Sequence, residues 1–353
     1  MKNHLYLKVQ KIIRQTSDSA TFIFENPKEG KLDYQSGQFL TLVLKINNRE
    51  LRRSYSLNSS PEWEENPGIT VKLVHNGEVS RYLLSKIKEG DILEFLTPAG
   101  RFTIETQNNQ ARDIFLIGAG SGITPLFSIL KSILKKEPQS KVILIYSNQN
   151  EDSLLFRGEL SDLEKNYPNF RCIHLLSNPI TNEWQKYRGR LSNGLLEKIV
   201  HENLHFNKKE ALFYLCGPLL YMIITQTTLV FMGFPKENIK KENFVTDKGT
   251  KDSELSKIDK NAPPKTVLIK IDEKEYPIIV EARQTILDAA QKQGLELPYS
   301  CKDGICSTCT GICKSGEVYM HKNEVLTEKD LAQNFILTCT GHPMTEDVVI
   351  EIK

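Results

Sequence analysis

Four cysteines carry the most specific spacing in this chain. Cys301, Cys306 and Cys309 form C-x4-C-x2-C, and Cys339 follows after 29 intervening residues. Four thiolates must converge to hold two irons, and one tight loop can supply three of them. This spacing is that of a [2Fe–2S] cluster. A structural zinc site usually draws on two C-x2-C pairs, and only one is present here. Gly304 lies inside the loop, where the backbone has to approach the inorganic sulfides and its N–H groups can bond to sulfur. Cys313 and Cys172 fall outside the pattern and read as small buried apolar residues.

A second group of motifs suits a nucleotide and a flavin. Arg53-Ser54-Tyr55-Ser56 closes a β-rich run. A guanidinium can grip a pyrophosphate through two hydrogen bonds, a Tyr ring can lie against an isoalloxazine, and a Ser hydroxyl can reach flavin N5. Gly77-Glu78-Val79-Ser80 opens a short helical stretch whose first N–H groups suit a phosphate. Gly118-Ala119-Gly120-Ser121-Gly122-Ile123-Thr124-Pro125 links an apolar run to a helical one. A glycine turn there brings a pyrophosphate to a helix N-terminus. Its third glycine is misplaced for G-x-G-x-x-G. Cys216-Gly217-Pro218 ends a later strand-like run, and Glu242-Asn243-Phe244 follows. Each motif alone equally suits an ordinary turn.

In this order the motifs resemble the ferredoxin-reductase superfamily. Arg53, Tyr55 and Ser56 match its R-x-Y-S signature, with Gly77, Val79 and Ser80 as its second flavin motif. Gly37-Gln38-Phe39 matches its barrel. Gly118, Gly120, Gly122, Thr124 and Pro125 match its nicotinamide loop, and Cys216, Gly217 and Pro218 its C-G-P. The resemblance implies that Cys216 faces the nicotinamide, that Glu242 and Phe244 close the reductase module, and that Ser56, Cys216, Glu242 and Phe244 are the catalytic set. Leu287-Asp288-Ala289-Ala290 and Gly294-Leu295-Glu296-Leu297-Pro298-Tyr299-Ser300-Cys301 resemble the lead-in of plant-type ferredoxins. That likeness implies a β-grasp domain with the cluster near its surface.

The elements that must position these residues divide the chain in three. Residues 1–107 read as short strands broken by Gly and Pro, which predicts an antiparallel β-barrel for FAD. Residues 110–245 alternate strand-like runs (Ile114–Ile117, Val142–Tyr146, Leu212–Cys216) with helical ones (Pro125–Lys136, Leu155–Lys165, Leu219–Met232). That alternation predicts an α/β parallel-sheet domain for NAD(P). Residues 246–264 are polar and read as a linker. Residues 265–353 form the [2Fe–2S] unit, with strands Thr266–Ile271, Tyr276–Val280 and Val348–Ile352 and a helix Thr285–Lys292. The predicted fold class is therefore multidomain: barrel, parallel α/β sheet and β-grasp.

Composition narrows the function. The chain has 353 residues, 39% hydrophobic and 25% charged, and 46 Lys+Arg against 44 Asp+Glu. A net charge of +2 argues against a nucleic-acid binder. The most apolar region, Ala211–Phe234, is broken by Gly217-Pro218 and by Thr225-Gln226-Thr227-Thr228, so no membrane insertion is expected. The first residues show no apolar secretion segment, which points to a cytoplasmic protein with reduced thiols. Residues 264–353 hold 10 Lys+Arg and 14 Asp+Glu, net −4, and the remainder is +6. Such a split suits weak, reversible docking.

As a whole, the chain resembles the single-chain reductase components of multicomponent oxygenases, among them those of phenylacetyl-CoA epoxidase and 3-ketosteroid hydroxylase. The resemblance implies hydride transfer from NADH or NADPH to FAD, then single electrons through [2Fe–2S] to an acceptor protein. Three alternatives are a redox-sensing module, a self-sufficient flavin or quinone reductase, and a hybrid-cluster-protein reductase. After Val142–Tyr146, Ser147 suits an adenosine phosphate, but Gln149 stands where NADPH-using relatives tend to place Arg. That exchange leans the chain towards NADH. Arg157, Arg188 and Arg190 could offset it.

Overall fold

The computed structural model describes residues 4–27, 30–46, 49–63, 65–181, 184, 187–244 and 258–352. It falls into two compact units, Met1–Phe244 and Val245–Lys353. No helix among the described residues is long and apolar enough to cross a membrane.

The first unit begins with strands β1 (His4–Thr16), β2 (Ser19–Phe24), β3 (Phe39–Ile46), β4 (Arg49–Ser56) and β5 (Gly68–Lys72). Helix α1 (Glu78–Lys86) and strand β6 (Ile92–Ala99) follow. The six strands pair antiparallel in the order β4-β3-β6-β1-β2-β5. A bridge between Leu57 and Ile69 joins the two ends, so the sheet closes as a barrel. Alternate residues such as Phe22, Phe24, Leu40, Leu42, Ile69, Val71 and Phe95 fill its interior, as the two-residue period of a strand requires.

The same unit continues as a parallel sheet. Its elements are β7 (Asp113–Ala119), α2 (Ile123–Lys136), β8 (Lys141–Asn148), α3 (Arg157–Asn166) and β9 (Phe170–Leu176). Next come α4 (Asn193–Glu202), β10 (Leu212–Cys216), α5 (Leu219–Phe231) and β11 (Ile239–Glu242). The strand order is β11-β10-β7-β8-β9. Chain order reverses between β7 and β10, and in such sheets ligands bind beyond the strand carboxyl ends at that point. The sequence patterns locate α2, α3 and α5 to within two residues at each end. They miss α4, whose Asn193-Gly194 start hides a helix capped by the Ser192 side chain.

Barrel and parallel sheet are locked together by α2. Trp63 Nε1 donates to the Lys131 carbonyl at 2.7 Å, Ser128 donates to the Ser59 carbonyl, and Lys131 pairs with Glu65.

In the second unit, β12 (Lys265–Ile271) and β13 (Lys274–Val280) form a hairpin, followed by α6 (Ile286–Lys292) and β14 (Thr310–Ser315). Then come β15 (Val318–Met320), α7 (Glu328–Ala332), β16 (Phe335–Leu337), β17 (Gly341–Pro343) and β18 (Val349–Ile352). The main sheet runs β13-β12-β18-β14-β16, with β12 and β18 parallel. Helix α6 packs Ile286, Leu287, Ala289 and Ala290 into the core. Of the expected linker, residues 246–257 lie outside the described residues. Its end is attached to this unit: Ile258 is buried, and Arg283 Nε donates to its carbonyl at 3.0 Å.

Candidate functional site

On the barrel, β3 holds β4 in register, with Phe39 opposite Ser56, Leu40 opposite Tyr55 and Leu42 opposite Arg53. Ser56 is buried and Tyr55 is half-buried, and the Arg53 guanidinium donates to the Arg52 carbonyl at 2.7 Å. Burial pushes the Tyr55 hydroxyl up to about 12, so it stays protonated. Gly37 stands at φ +97°, and a Cβ there would lie 2.0 Å from the Phe102 carbonyl. The turn before β3 therefore accepts only glycine. Gly77 caps α1 with no side-chain bond to the helix start. Its missing Cβ would meet Ser80 Oγ at 2.7 Å, while that hydroxyl accepts from Val74 N at 3.1 Å. The first amides of α1 stay available to a phosphate, and this surface fits a flavin dinucleotide.

The nicotinamide motifs meet at the switch point. Glu242, Cys216, Gly118 and Tyr146 occupy one row across β11, β10, β7 and β8. A Cβ on Gly122 would lie 2.2 Å from the Cys216 carbonyl, and one on Gly118 would lie 2.7 Å from Leu126 Cδ1. Gly217 would bring its Cβ to 3.1 Å from Ala119 Cβ. The loops 118–122 and 216–218 thus press backbone against backbone. They leave a cradle open to a ligand that carries its own bulk. Gly120 adopts φ +55°. Thr124 Oγ1 donates to the Ser121 carbonyl at 3.0 Å, and Pro125 lies in the buried first turn of α2.

Two tyrosines that no sequence motif singles out fix this loop. Tyr146 OH donates to the Gly120 carbonyl at 3.1 Å, and Tyr221 OH donates to the Gly118 carbonyl at 3.3 Å. Tyr221 also bonds Ser147 Oγ at 3.2 Å. Both tyrosines sit in apolar runs and read as core from sequence alone. A Tyr at the end of a buried strand, where its hydroxyl needs a partner, is the signal that could have found Tyr146.

Cys216 is fully buried, and burial together with the Glu242 carboxylate holds its thiol well above the usual range. Glu242 is half-buried as a residue, yet its Oε2 is enclosed and has no hydrogen-bond partner among the described residues. Burial raises its carboxyl to about 8, so near neutral pH it carries a proton. Cys216 and Glu242 are thus both protonated near neutral pH, and the Cys216 thiol is a poor nucleophile. Phe244, two residues on, is exposed.

In the second unit the cysteine loop bends through three unusual backbone positions. Lys302, Gly304 and Ser307 all have positive φ (56°, 71° and 54°). A Cβ on Gly304 would lie 2.7 Å from the Lys322 carbonyl. The neighbouring segment clamps the loop: Lys322 pairs with Asp303 at 2.8 Å, and Glu324 N donates to the Gly304 carbonyl at 3.0 Å. The four thiols converge in two pairs. Cys309 and Cys339 sulfurs are 3.1 Å apart, and Cys306 Sγ accepts from Cys301 N at 3.5 Å. Hydrogen bonds with the Cys306 and Cys339 sulfurs link the pairs and hold the Cys301 thiol down, helped by the N–H groups of Ile305 and Asp303. Among the described residues no three His, Cys, Asp or Glu side chains form a ready shell for a single ion. Two thiol pairs are the donor set a two-iron cluster takes. Cys309 and Cys339 are buried and Cys301 and Cys306 half-buried, so one side of the site lies near solvent. Cys313 packs in the core of this unit and Cys172 against a core of the other, each as a free thiol.

Comparison with known proteins agrees with this geometry. Residues 6–104 match the oxidoreductase FAD-binding domain, 116–227 the oxidoreductase NAD-binding domain and 269–344 the 2Fe-2S iron-sulfur cluster binding domain. The chain is 33% identical to one of the subunits of 1,2-phenylacetyl-CoA epoxidase from Escherichia coli, over 98% of its own length and 96% of that protein's. It is 32% identical to the ferredoxin reductase component of 3-ketosteroid-9-alpha-monooxygenase from Rhodococcus rhodochrous, with the same coverage. Its fold is similar to that of phthalate dioxygenase reductase, with a TM-score of 0.60, 22% identity, and 99% and 98% of the two chains covered.

Proposed function

Because the chain belongs to the family of reductase components that join FAD-, NAD- and [2Fe–2S]-binding domains in one polypeptide, we propose that it delivers electrons from a reduced nicotinamide to the oxygenase component of a multicomponent system. It is an NAD(P)H oxidoreductase with those three cofactor domains. When bound, FAD and the cluster supply the conversion of a two-electron donor into single electrons.

The chain's own residues do the positioning. Arg53 and the α1 amides at Val79 and Ser80 bind the flavin pyrophosphate, Tyr55 covers the ring and Ser56 holds its N5 edge. Gly118, Gly120, Gly122, Thr124 and Pro125 seat the nicotinamide dinucleotide, with Ser147 towards its adenosine end. Cys216, Gly217 and Pro218 floor the nicotinamide, Glu242 holds a proton beneath it, and Phe244 shields the opening. Cys301, Cys306, Cys309 and Cys339 hold the cluster. The domains are 1–107, 110–245 and 265–353, joined through 246–264. A site that draws on four reduced thiolates suits the cytoplasm.

One observation carries this reading: a glycine-walled crevice at the sheet's switch point and a four-thiol site occur in a single chain that matches reductase components over 98% of its length. The test is steady-state NAD(P)H oxidation with two acceptors. Ferricyanide should accept electrons with or without the cluster, and a protein acceptor only when the cluster is present. Equal turnover with the protein acceptor after loss of the cluster would instead make this a self-sufficient flavin reductase.

A further inference from the structure

Helix α5 breaks the rule that a surface helix turns polar residues outward. Its inner face buries Met222, Thr225, Thr228 and Leu229. Its outer face carries Leu219, Leu220, Ile223, Ile224, Val230 and Phe231, all exposed, with Leu220 72% and Phe231 87% accessible. The thirteen residues Leu219–Phe231 include no charge. Thr225 and Thr228 turn their hydroxyls back to the carbonyls of Tyr221 and Ile224, at 2.8 and 2.9 Å. The outer stripe is therefore uncharged and apolar except at exposed Thr227, and unpartnered among the described residues.

We propose that α5 is a self-association surface, through which two copies of this chain pair face to face about a two-fold axis. Spacing supports this first. Leu220, Ile223, Thr227 and Val230 fall at i, i+3, i+7 and i+10, the seam spacing of two packed helices. Leu219, Ile224 and Phe231 flank it without charge, so two copies meet without repulsion. A two-fold axis across the stripe makes the helices antiparallel and their dipoles opposed, and each copy offers the same patch to the other.

Charge argues against other occupants. An acidic docking module or an anionic lipid surface would be met by Lys or Arg on the helix, and α5 has none. Covering the stripe removes on the order of 500 Å² per copy, so a pair reaches the ~1,000 Å² that a specific interface requires. Association at that area is concentration-dependent.

Sedimentation velocity on the full flavin-loaded chain, from ~1 to ~100 µM, tests this in the range where an interface of that size assembles. The mass should rise from one chain towards two. Ile224→Lys and Phe231→Glu should remain monomeric throughout, with ferricyanide turnover within about twofold of the parent as a check on folding. Thr227→Cys, at the middle of the stripe, should give a reducible cross-linked dimer on oxidation. A parent that stays monomeric at ~100 µM, or an Ile224→Lys protein that still dimerises, overturns the proposal. So does a monomer that pellets with neutral phosphatidylcholine vesicles through Ile224, because the stripe would then meet lipid.

Discussion

The nicotinamide crevice and the cluster loop solve opposite problems. The crevice is built from absent side chains. Gly118, Gly122 and Gly217 sit where a Cβ would collide with Leu126, the Cys216 backbone or Ala119. The loop is built from side chains that are present, four sulfurs brought together by a backbone bent at Lys302, Gly304 and Ser307. One site is a shape that admits a ligand for each turnover. The other is a set of four thiols that, as the proposed cluster ligands, would retain a group permanently. The crevice should therefore fail through added bulk, and the loop through a lost atom.

The largest effect should come from the loop. Cys309→Ser or Cys339→Ser should lower bound iron from about two per chain to almost none. Iron and acid-labile sulfide analysis reads this directly. Ferricyanide reduction should persist. Cys313→Ser should keep its iron, because that thiol only packs in the core near the Ser315 and Gly316 carbonyls. Loss of the cluster there would erase the distinction between ligand and core cysteine.

Next is Gly122→Ala. The added methyl needs the Cys216 carbonyl to move from 2.2 Å. Flavin reduction by NADH should slow about 100-fold, equivalent to ~2.7 kcal/mol in the barrier. Stopped-flow absorbance measures this, and iron content should not change. A rate within threefold of the parent would mean that the crevice is not the entry point.

The two sites also differ in how legible they are from sequence. Three of the four proposed cluster ligands are close in the chain, so their spacing alone points to the site. The crevice joins residues about a hundred apart, and its motifs became specific only in combination. The collision of Gly122 with the Cys216 carbonyl, and the Tyr146 and Tyr221 hydroxyls on the glycine loop, depend on which strands are neighbours. Periodicity does not encode that. Strand β14 escaped for a local reason: Gly311 and Cys313 interrupt its β-branched pattern. Gly311 is there because a Cβ would strike Ile350 and Ile352 at 2.8 Å.

Glu242 gives a smaller, pH-dependent effect on stability. Its folded carboxyl titrates at about 8, against an ordinary 4.5. Between those values the unfolded chain binds fewer protons than the folded one, so stability falls as pH rises and levels off above about 8. Glu242→Gln should remove that slope. Denaturant melts should show the two proteins alike near pH 4.5, with the variant's advantage growing up to about pH 8. An advantage independent of pH would mean that the carboxyl is not buried protonated.

The smallest effect concerns the adenosine end of the crevice. NADH should be preferred to NADPH by less than about tenfold, ~1.4 kcal/mol in kcat/KM. Gln149→Arg should narrow or reverse the preference, with no change at the cluster.

The most direct test of the relay is anaerobic stopped-flow mixing of the full chain with NADH, following flavin and cluster absorbance separately. The flavin band should bleach first and the cluster band after it, ending at about three electrons per chain, two on the flavin and one on the cluster. Gly122→Ala should delay both phases together. A cluster band that stays oxidised while the flavin cycles through the protein acceptor would contradict the relay.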